Sequence, residues 1–298
     1  MGKHAYLIMA HHRADLLKEL IKSIDDERND IFLHIDKKSN LKKHNFTTKK
    51  SHIYFINPMK VNWGGYTQVE CEYRLLAEAY IKEAYDYYHF LTGATYPLKT
   101  QDEIHLFFDK NKGMEFIGYD NKNDFSFRAK YYFLFNEAGK PSTIIKKIKW
   151  KIRKLVLYVQ KLLNYNKLSN KDEFKNIIIK KGMAYVSITN EFVKYVLEKE
   201  PFVKHLLKHS ISADEIFLQT LAYNSNFRDN LYNINDEFEG CLREFAWEDA
   251  FGLSRTGHNF IDEDLDYLLH SSKCFALKFE GKDGMNLIKK IREKKNIT

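Results

Sequence analysis

The fold is decided by the stretch AYLIMAHHRADLLKELIKSIDDERNDIFLHIDKKS, residues 5–39. It opens with a short apolar run, Ala5–Ala10, which predicts a buried β-strand. Over Arg13–Asp26 apolar residues return every three or four positions, which predicts an amphipathic helix. A second apolar run, Ile31–Ile35, predicts another strand that ends at Asp36. A strand, a helix and a strand at this spacing favour parallel pairing of the two strands.

The same alternation continues through the first half of the chain. Further strands are predicted at Ile53–Ile56, Tyr87–Leu91 and Glu115–Ile117, and further helices at Tyr66–Ala84 and Gln101–Asn111. The pattern therefore predicts an α/β fold with a mainly parallel central sheet and helices on both faces. Because such sheets bind ligands at the carboxyl ends of their strands, we expect His11, Asp36, Trp63 and Gly93 near one rim.

The second half has a looser pattern. It predicts helices at Ile144–Leu163 and Asn190–Lys199, a helix that begins near Ser212, and a strand at Ala184–Ile188. With 298 residues, 44% of them hydrophobic and 15% aromatic, the chain can bury a large core, which excludes intrinsic disorder. The interpretation is one domain over residues 1–298, with a basic, mainly helical segment at about 143–181.

Cysteine usage and hydropathy bear on the compartment. Cys71, Cys241 and Cys274 are odd in number and widely spaced, which argues against a disulfide framework or a cysteine zinc site. No apolar run approaches the roughly 20 residues of a membrane span, and Met1–Ala10 is too short for a signal peptide. These features predict a cytoplasmic protein.

The net charge of +8 is concentrated in one segment. Residues 143–181 carry twelve Lys and Arg against two acids, and the rest of the chain is close to neutral. This weakens a nucleic-acid-binding interpretation, which expects basic residues spread over the fold. Two interpretations remain for Ile144–Leu163: an amphipathic helix in peripheral contact with an anionic inner membrane, or a surface helix whose apolar face packs on the core.

Several common catalytic motifs are missing from the chain. It has no P-loop, dinucleotide-binding glycine pattern, zincin motif or nucleophile elbow. Histidines are scattered, and the adjacent His11 and His12 are expected to diverge in direction. We therefore expect no metal site.

Two short segments allow both a structural and a chemical interpretation. In Ser212–Glu215 (SADE), Ser212 could cap a helix with Glu215 reaching back to the cap amide, or Glu215 could be a general base beside a cleft. The cap is the favoured interpretation from pattern alone. In the apolar run around Lys278 (CFALKFE), the lysine is either a solvated edge position or a cation aimed at phosphate.

Six blocks in order give the chain a family resemblance. They are residues 5–39, VNWGGYTQVECEYRLL (61–76), YDYYHFLTGATYPLKTQDEI (85–104), SADEIFLQT (212–220), LREFAW (242–247) and FALKF (275–279). Together they resemble the core-2/I-branching β-1,6-N-acetylglucosaminyltransferase family, which also contains the peptide xylosyltransferases. The basic segment is the least typical part.

The resemblance implies a modified GT-A-like glycosyltransferase fold, a UDP-sugar donor and inversion at the anomeric carbon. It matches Glu215 to the catalytic base that deprotonates the acceptor hydroxyl. The family lacks the metal-binding D-x-D of most GT-A enzymes, and this chain has Thr92-Gly93-Ala94 at that place. The D-x-D formed by Asp262 and Asp264 is better explained as negative charge at a helix start. The resemblance thus implies no metal and no other cofactor.

The resemblance also assigns the remaining site residues. Arg255 and Lys278 match the cations that replace the metal at the leaving phosphate. Asp36 fits hydrogen bonding to uridine, or a turn cap; Trp63 and His11 fit nucleotide contacts, or core packing. Trp247 matches a tryptophan that packs against the acceptor sugar, and Arg128 is expected to bound the same cleft.

The chain departs from the family pattern at three positions. Thr95 replaces the usual Asp of a D-Y-P block, Leu277 replaces an Arg before the phosphate-binding lysine, and Tyr185 stands where many bacterial relatives have Trp.

We expect a metal-independent, inverting transferase that moves a sugar, GlcNAc first, from a UDP-sugar to a glycan hydroxyl. The expected acceptor is bacterial surface polysaccharide or lipooligosaccharide and could be lipid-linked. UDP-xylose, UDP-glucose and UDP-galactose are the alternative donors. A non-catalytic basic binding or scaffold protein is the alternative from another class, and the joint presence of Glu215, Arg255 and Lys278 argues against it.

Overall fold

A five-stranded mixed sheet forms the centre of the molecule. The computed structural model describes residues 2–139, 142–246 and 257–297. The described strands are β1 (His4–Ala10), β2 (Asn29–Ile35), β3 (His52–Phe55), β4 (Tyr87–Thr92), β5 (Tyr96–Pro97), β6 (Ser187–Thr189), β7 (Arg243–Glu244) and β8 (Phe275–Ala276). The described α-helices are α1 (Ala14–Ser23), α2 (Thr67–Lys82), α3 (Gln101–Lys110), α4 (Phe127–Lys130), α5 (Ile144–Leu162), α6 (Lys167–Asn170), α7 (Asn190–Glu198), α8 (Glu200–Leu207), α9 (Phe217–Tyr223), α10 (Glu237–Cys241), α11 (Leu265–Leu269) and α12 (Gly284–Lys295).

The central sheet is mainly parallel, as the sequence predicts. Its strand order is β3-β2-β1-β4-β6. The pairs β1–β2, β1–β4 and β2–β3 are parallel, and β6 alone among the sheet's five strands runs antiparallel, against β4. The strands β1, β2 and β4 therefore end at the same edge, where His11 and Asp36 follow directly in the sequence.

Both faces of the sheet are covered by helices, which confirms the predicted layering. Along β1, Ala5 and Leu7 belong to a core shared with α2, α7 and α9. Tyr6 and Ile8 point to the opposite face and belong to a core shared with α1 and α3. Alternate residues of a strand point to opposite faces, and all of these side chains are apolar, so the strand is buried on both sides.

A small second sheet, β5-β8-β7, was not predicted from the sequence. Its strands are two residues each, which is too short to leave a periodic signal. Arg243 of β7 is fully buried and joins the two sheets. Its guanidinium donates to the carbonyls of Val186 and Cys241 (2.8 and 2.7 Å) and to the Ser187 hydroxyl.

Two predicted strands differ from the structure. Glu115–Ile117 is not a strand: Glu115 and Phe116 form isolated bridges to Leu231 and Ser187. The strand predicted at Ala184–Ile188 is shorter and begins at Ser187. The buried Glu115 carboxylate accepts hydrogen bonds from both the amide and the hydroxyl of Thr189, at the end of β6.

The three cysteines are buried and form no disulfide, in agreement with the sequence-based expectation. Within the ranges given above, no helix has the length and apolarity that crossing a membrane requires.

The orientation of α5 corrects one of the two interpretations of the basic segment. None of its 19 residues is buried, and Ile144, Leu155 and Leu162 are 77%, 61% and 63% exposed. The interpretation that its apolar face packs on the core is therefore wrong.

Candidate active site

A cleft of about 500 Å³ lies at the carboxyl ends of β1, β2 and β4. The predicted residues His11, Asp36, Trp63 and Lys278 all line it, as does Gly93. Its other lining residues include Met9, His12, His34, Lys38, Ser39, Gln68, Thr92, Tyr185, Leu277 and Glu280. The expectation that these strand ends gather the polar side chains at one rim is confirmed.

Asp36 is buried and holds the cleft floor together. One carboxylate oxygen accepts from the amide of Lys38 (2.8 Å) and the other from the amide of Val61 (3.3 Å). The Asp36 amide in turn donates to the carbonyl of Ala10 (2.9 Å), across the ends of β2 and β1. Asp36 thus has the turn-capping role that was one of its two interpretations, and it also lines the cleft.

His11 and His12 do not diverge as expected from their adjacency. Their ring centroids are 4.0 Å apart, and both rings line the cleft. Partial burial, together with the neighbouring His12, lowers the pKa of His11. His12 Nε2 lies 2.9 Å from a carboxylate oxygen of Glu280, so this pair closes one side of the cleft.

Trp63 and Lys278 both line the cleft. Trp63 is 65% exposed, which excludes the core-packing interpretation. Lys278 follows β8, is half-buried and lines the cleft beside Leu277 and Glu280. An ammonium group in a partly enclosed wall interacts more strongly with a phosphate than one in open solvent, because less water screens the charges.

Glu215 makes an ion pair with Arg128. The distance between Arg128 Nη1 and Glu215 Oε2 is 2.7 Å, and the side chains are 15% and 34% exposed, respectively. The guanidinium is therefore sheltered while the carboxylate remains reachable. The resemblance assigned Glu215 as the base for the acceptor hydroxyl and expected Arg128 to bound the acceptor cleft, and the structure brings the two side chains together.

The capping-box interpretation of residues 212–215 is wrong. Ser212 lies in the left-handed region (φ 46°), its side chain caps no amide, and Ala213–Glu215 form a 3-10 turn before α9. The Ser212 amide donates instead to the carbonyl of Gly64 (2.9 Å), in the loop that carries Trp63. This long-range contact decides the local backbone, and a capping pattern within four residues cannot reveal it.

Asp214 connects Glu215 to the cleft. The Gln68 side chain, which lines the cleft, donates to Asp214 Oδ2 at 2.8 Å. Burial and the neighbouring Glu215 carboxylate raise the pKa of Asp214. Glu72, one turn along α2 from Gln68, is also buried, and burial raises its pKa well above the usual value. Glu215 therefore directly follows a buried carboxylate that is hydrogen-bonded to the lining of the cleft.

Tyr185 joins the two parts of the site. It lines the cleft, and its pKa is raised by burial and by nearby carboxylates, among them Asp214, Glu215 and Glu280. Tyr185 is thus a cleft residue whose hydroxyl also interacts electrostatically with Glu215, the base that the resemblance predicts.

Three other sequence observations have structural outcomes. The Thr95 hydroxyl accepts from the amide of Thr92 (3.1 Å) and closes the turn after β4, so it has a structural role. Asp264 accepts from the amide of Ile261 (2.8 Å) just before α11 and is not among the residues that line the cleft, which confirms the helix-start interpretation. Trp247 and Arg255 lie outside the described residues.

Sequence reasoning missed three residues that shape the site. Gln68 and Glu280 line the cleft, and Glu137 holds the loop that carries Trp63 by accepting from Asn62, Thr67 Oγ1 and the Thr67 amide (3.0, 2.7 and 3.0 Å). Gln68 and Glu280 lie within or just after blocks that carry the resemblance, and that position was a usable signal. Glu137 had none. Across the described parts of the chain, no group of three or more His, Cys, Asp or Glu side chains could hold a metal ion.

The fold and the cleft define an α/β protein with a cleft at the carboxyl ends of parallel strands, the usual place for a ligand in such sheets. Comparison with known proteins then gives the family: the model of the Core-2/I-Branching enzyme family matches residues 4–263. The chain belongs to that family.

Individual relatives are distant. The chain is similar to xylosyltransferase 2 of Rattus norvegicus, with 23% identity over 87% of this chain, and it spans only 28% of that protein's length. It is 24% identical to an N-acetyllactosaminide β-1,6-N-acetylglucosaminyltransferase of Mus musculus, over 93% of this chain and 68% of the relative. Among solved structures, mouse xyloside xylosyltransferase 1 in its apo form aligns with a TM-score of 0.37 and 12% identity, over 93% of this chain and 97% of that one.

Proposed function

We propose that this protein is a metal-independent, inverting glycosyltransferase that moves a sugar from a UDP-sugar to a hydroxyl of a glycan. The observation that carries the proposal is the connection of the Arg128–Glu215 ion pair to the cleft: Glu215 directly follows Asp214, whose carboxylate accepts from Gln68 in the lining that also contains Asp36, Trp63 and Lys278. Family membership supports the class of reaction. The donor, the acceptor and the independence from metal are the finer parts of the proposal.

In the proposed reaction, a Glu215 carboxylate oxygen takes the proton of the acceptor hydroxyl. The acceptor oxygen attacks the anomeric carbon from the face opposite UDP and forms the new glycosidic bond. The bond between that carbon and the β-phosphate oxygen breaks, and UDP leaves with the electron pair. Arg128 holds the carboxylate in place, which keeps the base oriented toward the attacking oxygen.

Charge develops on the leaving β-phosphate, and a cation must stabilise it. Lys278 is suited to this task, because it lines the cleft on the wall formed after β8 and matches the family's phosphate-binding lysine by the resemblance. By the resemblance, Arg255 acts with it. Asp36 and Trp63 are suited to the uridine and His11 to the nucleotide, while Trp247 is assigned to the acceptor sugar by the resemblance alone.

GlcNAc is the donor sugar we propose first, with xylose, glucose and galactose as alternatives. The names of the relatives divide between xylosyl and N-acetylglucosaminyl transfer, so they support a sugar nucleotide without choosing the sugar. The proposed acceptor is a bacterial surface polysaccharide or lipooligosaccharide, including its lipid-linked form. The proposed compartment is the cytoplasm, which three buried, unpaired cysteines support.

The test is release of UDP from a panel of UDP-GlcNAc, UDP-xylose, UDP-glucose and UDP-galactose, each with EDTA and with Mn²⁺. The proposal expects one donor to be hydrolysed at the same rate in both conditions. The Lys278→Ala variant should lose UDP affinity, and Lys282→Ala, an exposed lysine four residues away, is its matched control. A strict requirement for Mn²⁺ would contradict the proposal that Lys278 and Arg255 stabilise the leaving phosphate in place of a metal. If the protein neither turns over any of the four donors nor binds UDP, the proposed activity as a whole is contradicted.

A further inference from the structure

The apolar stripe of α5 faces away from the protein. Ile144, Ile148, Leu155, Val159 and Leu162 recur at intervals of three, four or seven residues and so share one side of the helix. They are 77%, 51%, 61%, 43% and 63% exposed. An amphipathic helix of a soluble domain normally turns such a stripe toward the core, so this surface needs a different explanation.

The helix is attached to the protein by its polar side. Gln160 donates to the carbonyl of Tyr132 and accepts from the amide of the same residue, both at 2.9 Å. The Lys149 ammonium lies 5.6 Å from the centre of the Phe135 ring. Val156 and Leu157 are half-buried on this side. These contacts fix the rotation of the helix and leave its apolar stripe outward.

Exposed positive charges flank the stripe. The helix contains seven Lys and Arg and no acid. Lys147, Lys151 and Lys154 are exposed. At 100° per residue they lie beside the apolar stripe, away from the side of the helix on which Gln160 contacts the protein. The Lys154 ammonium lies 3.8 Å from the centre of the Trp150 ring, so an aromatic side chain accompanies the lysines.

We propose that α5 lies flat on an anionic lipid surface, with the apolar stripe in the boundary between headgroups and acyl chains and the flanking lysines at the phosphates. Nineteen residues make a helix of about 28 Å, which is typical of an interfacial helix. Charge complementarity selects this occupant over a second copy of the chain. Stripe-to-stripe dimerisation would bring the lysines of two α5 helices together, and like charges repel.

The position of α5 links its contact with lipid to the acceptor of the reaction. This step rests on the proposed function. Tyr132, to which α5 is anchored, is the second residue after the short helix α4 that carries Arg128, and Arg128 holds Glu215. The lipid-facing helix is thus joined by a few residues to the proposed base. A membrane contact at this place presents the acceptor side of the site to glycans attached to lipid.

The experiment is flotation of the full chain with vesicles of phosphatidylcholine alone or with 30% phosphatidylglycerol. We expect binding to the anionic vesicles and little to the neutral ones. The triple variant Lys147→Gln, Lys151→Gln, Lys154→Gln should weaken anionic binding roughly 10- to 100-fold. The double variant Ile148→Ser, Leu155→Ser should weaken it about tenfold or more by removing apolar area.

The matched control for the charge variant is Lys18→Gln, Lys22→Gln, Lys50→Gln, which removes the same charge from exposed lysines elsewhere and should bind as wild type does. UDP release from a soluble donor should be unchanged in the α5 variants, so a failure of lipid binding is distinguishable from a failure of the proposed activity. Equal binding to neutral and anionic vesicles, or no binding, would overturn the proposal. So would a dimer in solution that the stripe variant dissociates while vesicle binding stays the same.

Discussion

The contact between Arg128 and Glu215 joins two residues 87 positions apart. Arg128 also lies over the Phe125 ring, 5.1 Å from its centre, so the guanidinium is held by an aromatic face as well as by the carboxylate. A sheltered arginine has little freedom of its own, and it therefore fixes the direction of the glutamate. We interpret Arg128 as a positioning residue for Glu215.

Replacing Arg128 by Gln should lower the rate of UDP release roughly 10- to 100-fold, because Glu215 would no longer be held at one position. The affinity for UDP should be unchanged, since Arg128 does not line the donor cleft. Rates measured beside calorimetric UDP binding check this. Lys130→Gln, which removes a cation of the same short helix paired only loosely with Asp124 (3.8 Å), should leave both values unchanged. A parallel loss of UDP affinity in Arg128→Gln would assign the arginine to the donor instead.

Single residues were predictable from sequence where the chemistry is local to a strand end or a motif. His11, Asp36 and Lys278 were identified in this way. Ser212 was misinterpreted as a cap, because its backbone is set by the carbonyl of Gly64, nearly 150 positions away. Glu137 was not found for the same reason: its partners are brought to it by the fold.

At the scale of elements, α1 and α5 have similar amphipathic patterns and opposite orientations. Leu20 of α1 is fully buried, while Leu155 of α5 is 61% exposed. Leu20→Ala should lower the free energy of unfolding by about 2–5 kcal/mol, because it leaves a cavity in a close-packed core. Leu155→Ala should change it by less than about 0.5 kcal/mol. Urea unfolding of the two variants checks the comparison, and a comparable loss in both would show that the α5 stripe is packed.

Three buried histidines from β1, β4 and α3 form one cluster. The rings of His4 and His105 stack at 4.0 Å, and His89 Nε2 is 3.1 Å from His4 Nδ1. Burial lowers the pKa of all three, and that of His105 to about 4. The cluster is therefore neutral in the folded protein at neutral pH.

The free energy of unfolding should fall as the pH drops from 6.5 toward 4. In this window the unfolded chain, with histidine pKa values near 6.5, binds more protons than the folded protein does. Each histidine contributes up to about 1.4 kcal/mol per pH unit to the slope of the free energy of unfolding against pH. His105→Gln should reduce the slope between pH 5 and 6 in urea unfolding, whereas the exposed control His44→Gln should keep it. Equal slopes in wild type and His105→Gln would contradict a buried, neutral His105.

Most elements of the first half were predictable because buried strands and amphipathic helices have strong periodic signals. The helix predicted over Gln101–Asn111 ends one residue earlier, and Thr100 begins it with a capping box to Glu103. For α5, periodicity defined the stripe but not the side of the helix that meets the protein. That choice depends on partners such as Tyr132, which lie outside the helix.

At the scale of the whole molecule, Arg243 holds the small sheet to the central one. Arg243→Met keeps much of the volume but leaves the carbonyls of Val186 and Cys241 and the Ser187 hydroxyl without this donor. We expect a loss of more than about 1 and up to about 3 kcal/mol in the free energy of unfolding, because the Cys241 carbonyl loses its donor. The Val186 carbonyl keeps the amide of Phe90, and the Ser187 hydroxyl keeps His89. Arg292→Met, which breaks a partly exposed pair with Glu19 (2.7 Å), should cost about 1 kcal/mol or less. Equal losses in urea unfolding would contradict this role.

The parallel central sheet and its helices were predictable from the sequence. The contacts between segments that are distant in the chain were not. The parallel sheet follows from strand–helix alternation in residues 5–104, and the family from six ordered blocks. The small sheet brings together β5, β7 and β8 from distant parts of the chain, and its two-residue strands have no local signal. Contacts of this kind are set by packing of the completed domain.

The most direct test of the central claim compares Glu215→Gln with wild type and with Glu293→Gln, an exposed glutamate of α12. The rates are measured in EDTA with the donor that wild type turns over. Glu215→Gln should lower the rate of UDP release roughly 10²- to 10⁴-fold, because the change removes the base. Its affinity for UDP should equal that of wild type, because the cleft is intact. Glu293→Gln should match wild type. Turnover by Glu215→Gln at the wild-type rate would contradict the account.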